Sequence, residues 1–127
     1  MQRRKNTVMF DTNMILRYLL DDNLEMADKA EEYIKNENAD VFVTVEVIAE
    51  VVYVLQKVYS LERKQISDLV CNFVELVNCD EHDSVVLALA LFGANKIDFV
   101  DCILYAYNKL YGVEIATFDK QLLKLLS

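Results

Sequence analysis

The sequence of 127 residues contains no proline, and its glycines are Gly93 and Gly112 alone. Glycine- and proline-rich stretches mark linkers and low-complexity segments. Their absence leaves no visible linker or internal repeat, and it predicts short connections and mostly helical content. Cations are scarce: 13 Lys and Arg face 21 Asp and Glu, for a formal net charge of −8. Such a balance argues against non-specific nucleic-acid binding, which needs cations against phosphate. It suits acids gathered around a metal ion, or a basic partner. The single histidine, His82, has no partner at metal-ligand spacing, so a histidine-based zinc site or a Ser-His-Asp triad would rest on it alone. Its place predicts the start of a helix. Cys71, Cys79 and Cys102 are odd in number and lack metal-site spacing, and they read as small core residues of a reducing compartment. No apolar run approaches the roughly 20 residues that cross a bilayer. The apolar segment after Met1–Asn6 is cut by Asp11 and Asn13, unlike a signal peptide. A cytoplasmic location is the expectation.

Apolar residues make up 54% of the chain, enough for a sizeable core. The length suits one domain, residues 1–127. The organising stretch is Val8-Met9-Phe10-Asp11-Thr12-Asn13, an apolar run that meets an acid, a hydroxyl and an amide before a second apolar run begins. It reads as a strand, Thr7–Asp11, delivering its last residue to the mouth of a helix capped by Thr12 or Asn13 and running to about Leu20. Leu24 to about Lys35 reads as an amphipathic helix, with Ala27, Ala30, Tyr33 and Ile34 inward. Val41–Val43 is a second strand. Thr44 caps a helix to about Tyr59, apolar on nearly every side and therefore expected to be buried. Ser60-Leu61-Glu62-Arg63 reads as a capping-box start to a helix ending near Val77. Asn78–Asp83 is a connection with room for a short strand. A helix over Ser84–Ala94 is expected to stop at Gly93-Ala94-Asn95. Asp98 caps a helix over Phe99–Tyr111, which Gly112 ends. Val113–Phe118 reads as the third clear strand, and Asp119 opens a last helix to Leu126. Strands alternating with helices predict an α/β fold, a mostly parallel sheet with helices on both faces.

Several acids fall where acids are costly. Asp11 ends a strand. Glu46 and Glu50 lie four apart on the apolar helix and share a face. Asp98 and Asp101 flank a helix start, and Asp119 follows the last strand. A buried carboxylate without a partner costs several kcal/mol or neutralises itself. A shared Mg²⁺ or Mn²⁺ would resolve the conflict, since carboxylates are hard ligands. Water activated at such an ion attacks phosphodiesters. Each acid also has an ordinary alternative. Asp98 and Asp119 suit N-caps, while Asp101 and Glu46 suit a helix N-terminus. Glu50, among Val47, Ala49, Val51 and Val52, fits such a role least.

Phe10-Asp11-Thr12-Asn13 with Leu16–Leu20, then Ala49-Glu50-Val51-Val52-Tyr53-Val54-Leu55, then Asp98-Phe99-Val100-Asp101, then Ala116-Thr117-Phe118-Asp119 together resemble the PIN domain family, and more narrowly the VapC-type ribonuclease toxins of toxin–antitoxin pairs. The order, spacing and length all fit, over almost the whole chain. The resemblance implies a three-layer fold and an endoribonuclease dependent on Mg²⁺ or Mn²⁺. Its acidic quartet would be Asp11, Glu50, Asp101 and Asp119. Asp11, Asp101 and Asp119 would be metal ligands, with Asp98, Thr12, Asn13 and Thr117 in support. Glu46 has no place in the pattern. It also implies an RNA substrate, a homodimer, and an antitoxin whose tail carries Arg or Lys to the acids. Arg17, one turn beyond the first motif, is a candidate contact to RNA phosphate.

Three other readings stand beside this one. A receiver-like module needs a lysine at a late strand end, where Thr117-Phe118-Asp119 stands instead. A haloacid-dehalogenase-like phosphatase wants a second Asp two residues after the first, where Asn13 stands. A PIN fold that binds RNA or protein without cleaving is the third.

Overall fold

The computed structural model describes residues 6–127. The strand expected over Thr7–Asp11 is met over Thr7–Met9: β1 spans Asn6–Met9, and Asp11 and the buried Phe10 lie beyond it. α1 (Thr12–Leu20) and α2 (Leu24–Lys35) follow, then β2 (Ala39–Val43) and α3 (Val45–Lys57). α4 (Arg63–Val74) leads to β3 (Asn78–Cys79), and the chain finishes with α5 (His82–Ala94), α6 (Phe99–Tyr111) and α7 (Lys120–Leu126).

The sheet is parallel, in the order β1-β2-β3. Such pairing needs a helical crossover between strands, which α1–α2 and α3–α4 provide. Side chains alternate across the strands. Val41 and Val43 point into the core with Ile15, Ile48, Val51, Leu55, Val70 and Phe73. On the opposite face Met9 pairs with Phe42, and Phe42 with Asn78. No helix covers this face completely: Met9 is 64% exposed, and a hollow of about 750 Å³ lies over it. The expectation of helices on both faces is thus met only in part.

Several helix starts have a local cause. Thr44 caps α3 by accepting the Val47 amide at 3.4 Å. Asn23 does the same for α2. At α4 the capping residue is Glu62 rather than Ser60: its amide donates to Gln65 Oε1 at 3.0 Å, while Ser60 takes a positive φ in the preceding turn. Gly112 ends α6 at φ +68°, a left-handed position that suits glycine.

One expectation fails here. Val113–Phe118 forms no strand. Its β-branched residues find no ladder partner among the described residues, and Phe118 is fully exposed. Strand preference is realised only against neighbouring strands. The expected stop at Gly93-Ala94-Asn95 is met, since α5 ends at Ala94 with Asn95 as its C-cap, and Gly93 sits in its last turn. A Cβ there would stand 2.8 Å from Ser67 Cβ, so glycine lets α5 press against α4.

Candidate active site

The acids stand at the ends of elements. Asp11 follows β1 and is itself the N-cap of α1, a role expected of Thr12 or Asn13. Its Oδ1 accepts the Met14 amide at 2.8 Å. Asp119 repeats the device at α7, where Oδ1 accepts the Leu122 amide at 2.9 Å. In both residues the cap engages one carboxylate oxygen and leaves Oδ2 outside it. Thr117 Oγ1 accepts the Asp119 amide at 3.0 Å, which fixes the turn into α7. Thr12 donates its hydroxyl to Glu50 Oε2 at 2.9 Å, joining the start of α1 to the middle of α3. Asn13 is exposed beside it.

Asp98 occupies the N-cap position of α6, but its side chain makes no capping bond. Asp101, one turn on, is half-buried. Burial holds its carboxyl above the usual carboxylate range, and the neighbouring charges of Asp119 and Asp98 push the same way. The last two acids of the quartet and Asp98 are therefore electrostatic neighbours. Among the described residues none of Asp11, Glu50, Asp98, Asp101 and Asp119 has an ion-pair partner.

The acids form two groups, Asp11–Thr12–Glu50 and Asp98–Asp101–Asp119. Among the described residues no three His, Cys, Asp or Glu side chains stand close enough to hold a metal ion. The donor chemistry still fits a hard divalent cation: the groups are carboxylates, and three of them repel one another without a counter-charge. The burial expected of these acids is not found. Asp11, Glu50, Asp98 and Asp119 are exposed, because one flank of α3 and the N-termini of α1, α6 and α7 meet solvent.

Arg17 is already engaged. Its Nη1 donates to both Asp22 carboxylate oxygens at 2.8 Å, and Nη2 donates to the Tyr59 hydroxyl at 2.8 Å. The side chain is 18% exposed. The hydrogen bond to Tyr59 is the largest cause of its raised pKa, opposed by desolvation. Arg17 thus ties the end of α1 to the chain after α3, and a phosphate would have to displace both partners. Glu46 is exposed at the start of α3, where it joins Glu81 and Asp80 in the field on the Tyr107 phenol.

Two features went unread in the sequence. The first is a groove of about 370 Å³ between α3 and the first turn of α6, where Tyr53, Gln56 and Lys57 face Val100, Asp98 and Asp101. The i, i+3, i+7 spacing of Glu50, Tyr53 and Lys57 was the available signal. The second is Arg63, whose guanidinium binds the connection that leads to Asp98. Its partners are backbone carbonyls 29 to 34 residues away, so the sequence held no signal for it.

No helix among the described residues is long and apolar enough to cross a membrane. No solved structure gives a significant match. A curated protein named VapC ribonuclease, from Aquifex aeolicus (strain VF5), is 28% identical over 122 residues, covering 92% of this chain and 90% of its own length. The model of the family described as PIN domain matches residues 8–125, from within β1 to within α7, and includes each of the acids above. With that match over nearly its whole length, the chain belongs to the PIN domain family.

Proposed function

We propose that this protein is an endoribonuclease dependent on Mg²⁺ or Mn²⁺, acting as the toxin of a toxin–antitoxin pair. The observation that carries the reading is the ordered quartet Asp11, Glu50, Asp101 and Asp119. These acids sit at a strand end, on α3, in the first turn of α6 and at the cap of α7, without cationic partners among the described residues. The name of the Aquifex relative supports the substrate class.

In this reading Asp101 and Asp119 from one group and Asp11 from the other would together hold the ion. When bound, the cation supplies charge neutralisation at the phosphoryl oxygens and acidifies water for attack. The helix caps orient Asp11 and Asp119, leaving one oxygen of each for the site. Thr12 aims Glu50, which positions the attacking water. Asp98 adds negative charge beside Asp101, and Thr117 holds the backbone that presents Asp119. A partner peptide bearing Arg or Lys would satisfy the same carboxylates and so inhibit the protein. A homodimer is part of the same reading, tested by light scattering of the purified chain.

The decisive test is cleavage of a mixed RNA pool with Mg²⁺, with Mn²⁺ and with EDTA, alongside Asp11→Asn. Asparagine keeps the cap of α1, so loss of activity in that variant reports the carboxylate and not the helix. Cleavage that stops in EDTA and in the variant supports the reading. Cleavage that persists in both would overturn it.

A further inference from the structure

Glu50, Tyr53 and Lys57 lie in one line along α3, spanning about 10 Å at the helical rise. Glu50 stands at the acidic end of this line and Lys57 at the far end. Tyr53 lies between them, 61% exposed in a helix whose Val51, Val52 and Leu55 are buried. Across the groove Val100 is 59% exposed, and Asp98 and Asp101 form the rim. Among the described residues Lys57 has no ion-pair partner, whereas Lys35 and Lys64 each pair with an acid one turn away.

We propose that this groove is a subsite for one nucleotide of single-stranded RNA next to the bond that is cut. Its base stacks on Tyr53 against Val100, the Gln56 amide meets the base edge, and Lys57 takes the phosphate. The proposal rests on the ribonuclease reading above. Several features favour RNA as the occupant. The groove has the size of a small-ligand site. An exposed aromatic is the usual platform for an unpaired base. A cation at one end and carboxylates at the other leave a single place for a phosphate outside the reacting centre. The arrangement selects single strands, because a base locked in a duplex offers no face to Tyr53.

Two measurements test it. In the first, a single-stranded RNA carrying 5-iodouridine is irradiated with the protein in EDTA, and the adduct is located by mass spectrometry. The adduct is expected at Tyr53 and lost in Tyr53→Ala. In the second, cleavage kinetics with the metal are compared among variants. Tyr53→Ala raises KM for single-stranded RNA about tenfold or more with kcat little changed, while Tyr53→Phe restores it. Lys57→Gln lowers the salt dependence of KM by about one phosphate contact. An adduct without cleavage would support the subsite and remove the hydrolytic reading. Metal-dependent cleavage with an unchanged KM in Tyr53→Ala and no adduct there would overturn the subsite and leave the nuclease standing. Neither adduct nor cleavage overturns both.

Discussion

Replacing Arg63 by alanine should destabilise the protein more than any other single loss of charge outside the acidic site. Arg63 opens α4, yet its Nη1 reaches Asn95 O and Ile97 O at 2.7 Å and Phe92 O at 3.3 Å. Its guanidinium carbon lies 4.3 Å from the centre of the Phe92 ring. One nitrogen has two hydrogens, so two of these contacts are full bonds and the longer one is shared. A hydrogen bond to a charged donor contributes about 1.5–3 kcal/mol, and a cation–π contact about 0.5–2 kcal/mol. Water recovers part of this at the more exposed carbonyls, which leaves a net loss of about 2–4 kcal/mol. At roughly 3–5 °C per kcal/mol for a chain of this size, Tm should fall by roughly 6–20 °C. Arg63→Lys keeps the charge but loses the planar fork, and it should fall between the two. Urea unfolding followed by far-UV circular dichroism gives the free energy, with an unchanged m-value showing that the folded state is otherwise intact. An alanine variant within about 0.5 kcal/mol of the parent, inside the usual range of neutral surface changes, would refute the reasoning by showing that water serves these carbonyls equally well.

Three further outcomes follow from the packing and the titrating groups. Gly93→Ala would stabilise an open helix, but the 2.8 Å approach to Ser67 Cβ should reverse the sign and cost about 1–3 kcal/mol. A more stable variant in chemical denaturation would contradict the close approach. Hydrogen bonds to Asp83 and then Glu75 hold the His82 pKa above its ordinary 6.5. Its contribution is therefore complete below pH 6.5 and fades as the pH rises through the raised value. For a surface cluster this amounts to less than ~1 kcal/mol. His82→Gln should be less stable than the parent at pH 5 and equal to it at pH 9, and an identical difference at both would remove the assignment. Burial pushes the Cys102 thiol up to about 12 and the Cys79 thiol up to about 11. Iodoacetamide at pH 7.5 should therefore spare Cys102 in the folded protein and alkylate all three cysteines in urea. Rapid labelling of folded Cys102, seen by mass spectrometry, would contradict its burial.

The parts of the fold that follow from local chemistry were legible in the sequence. Thr44, Gly112 and Asp119 mark helix ends through bonds within three or four residues, and the apolar spacing of α2 places Ala27 and Ala30 inward. What failed depends on distant neighbours. Val113–Phe118 has strand-forming residues but no strand beside it. Two contacts were hidden for the same reason without contradicting any expectation: Gly93 packs on Ser67 of another helix, and Arg17 binds Tyr59. The candidate acids were legible as a set, since their order along the chain matches the family. Their exposure was not, because a helix that reads as apolar on nearly every side still turns Glu50 and Tyr53 outward.

The sheet begins at β1, which among the described residues pairs only with β2. Its other edge has no ladder among the described residues, and Val113–Phe118 is a segment of strand-forming residues equally without one. No proline interrupts either stretch, and Glu114 is the one charge within Asn6–Met9 and Val113–Phe118 to deter pairing. A free edge and an unpaired strand-former in one molecule can satisfy each other within a chain or between two chains. Dilution favours the first and crowding the second, so the protein carries a built-in route to strand exchange and aggregation that grows with its concentration.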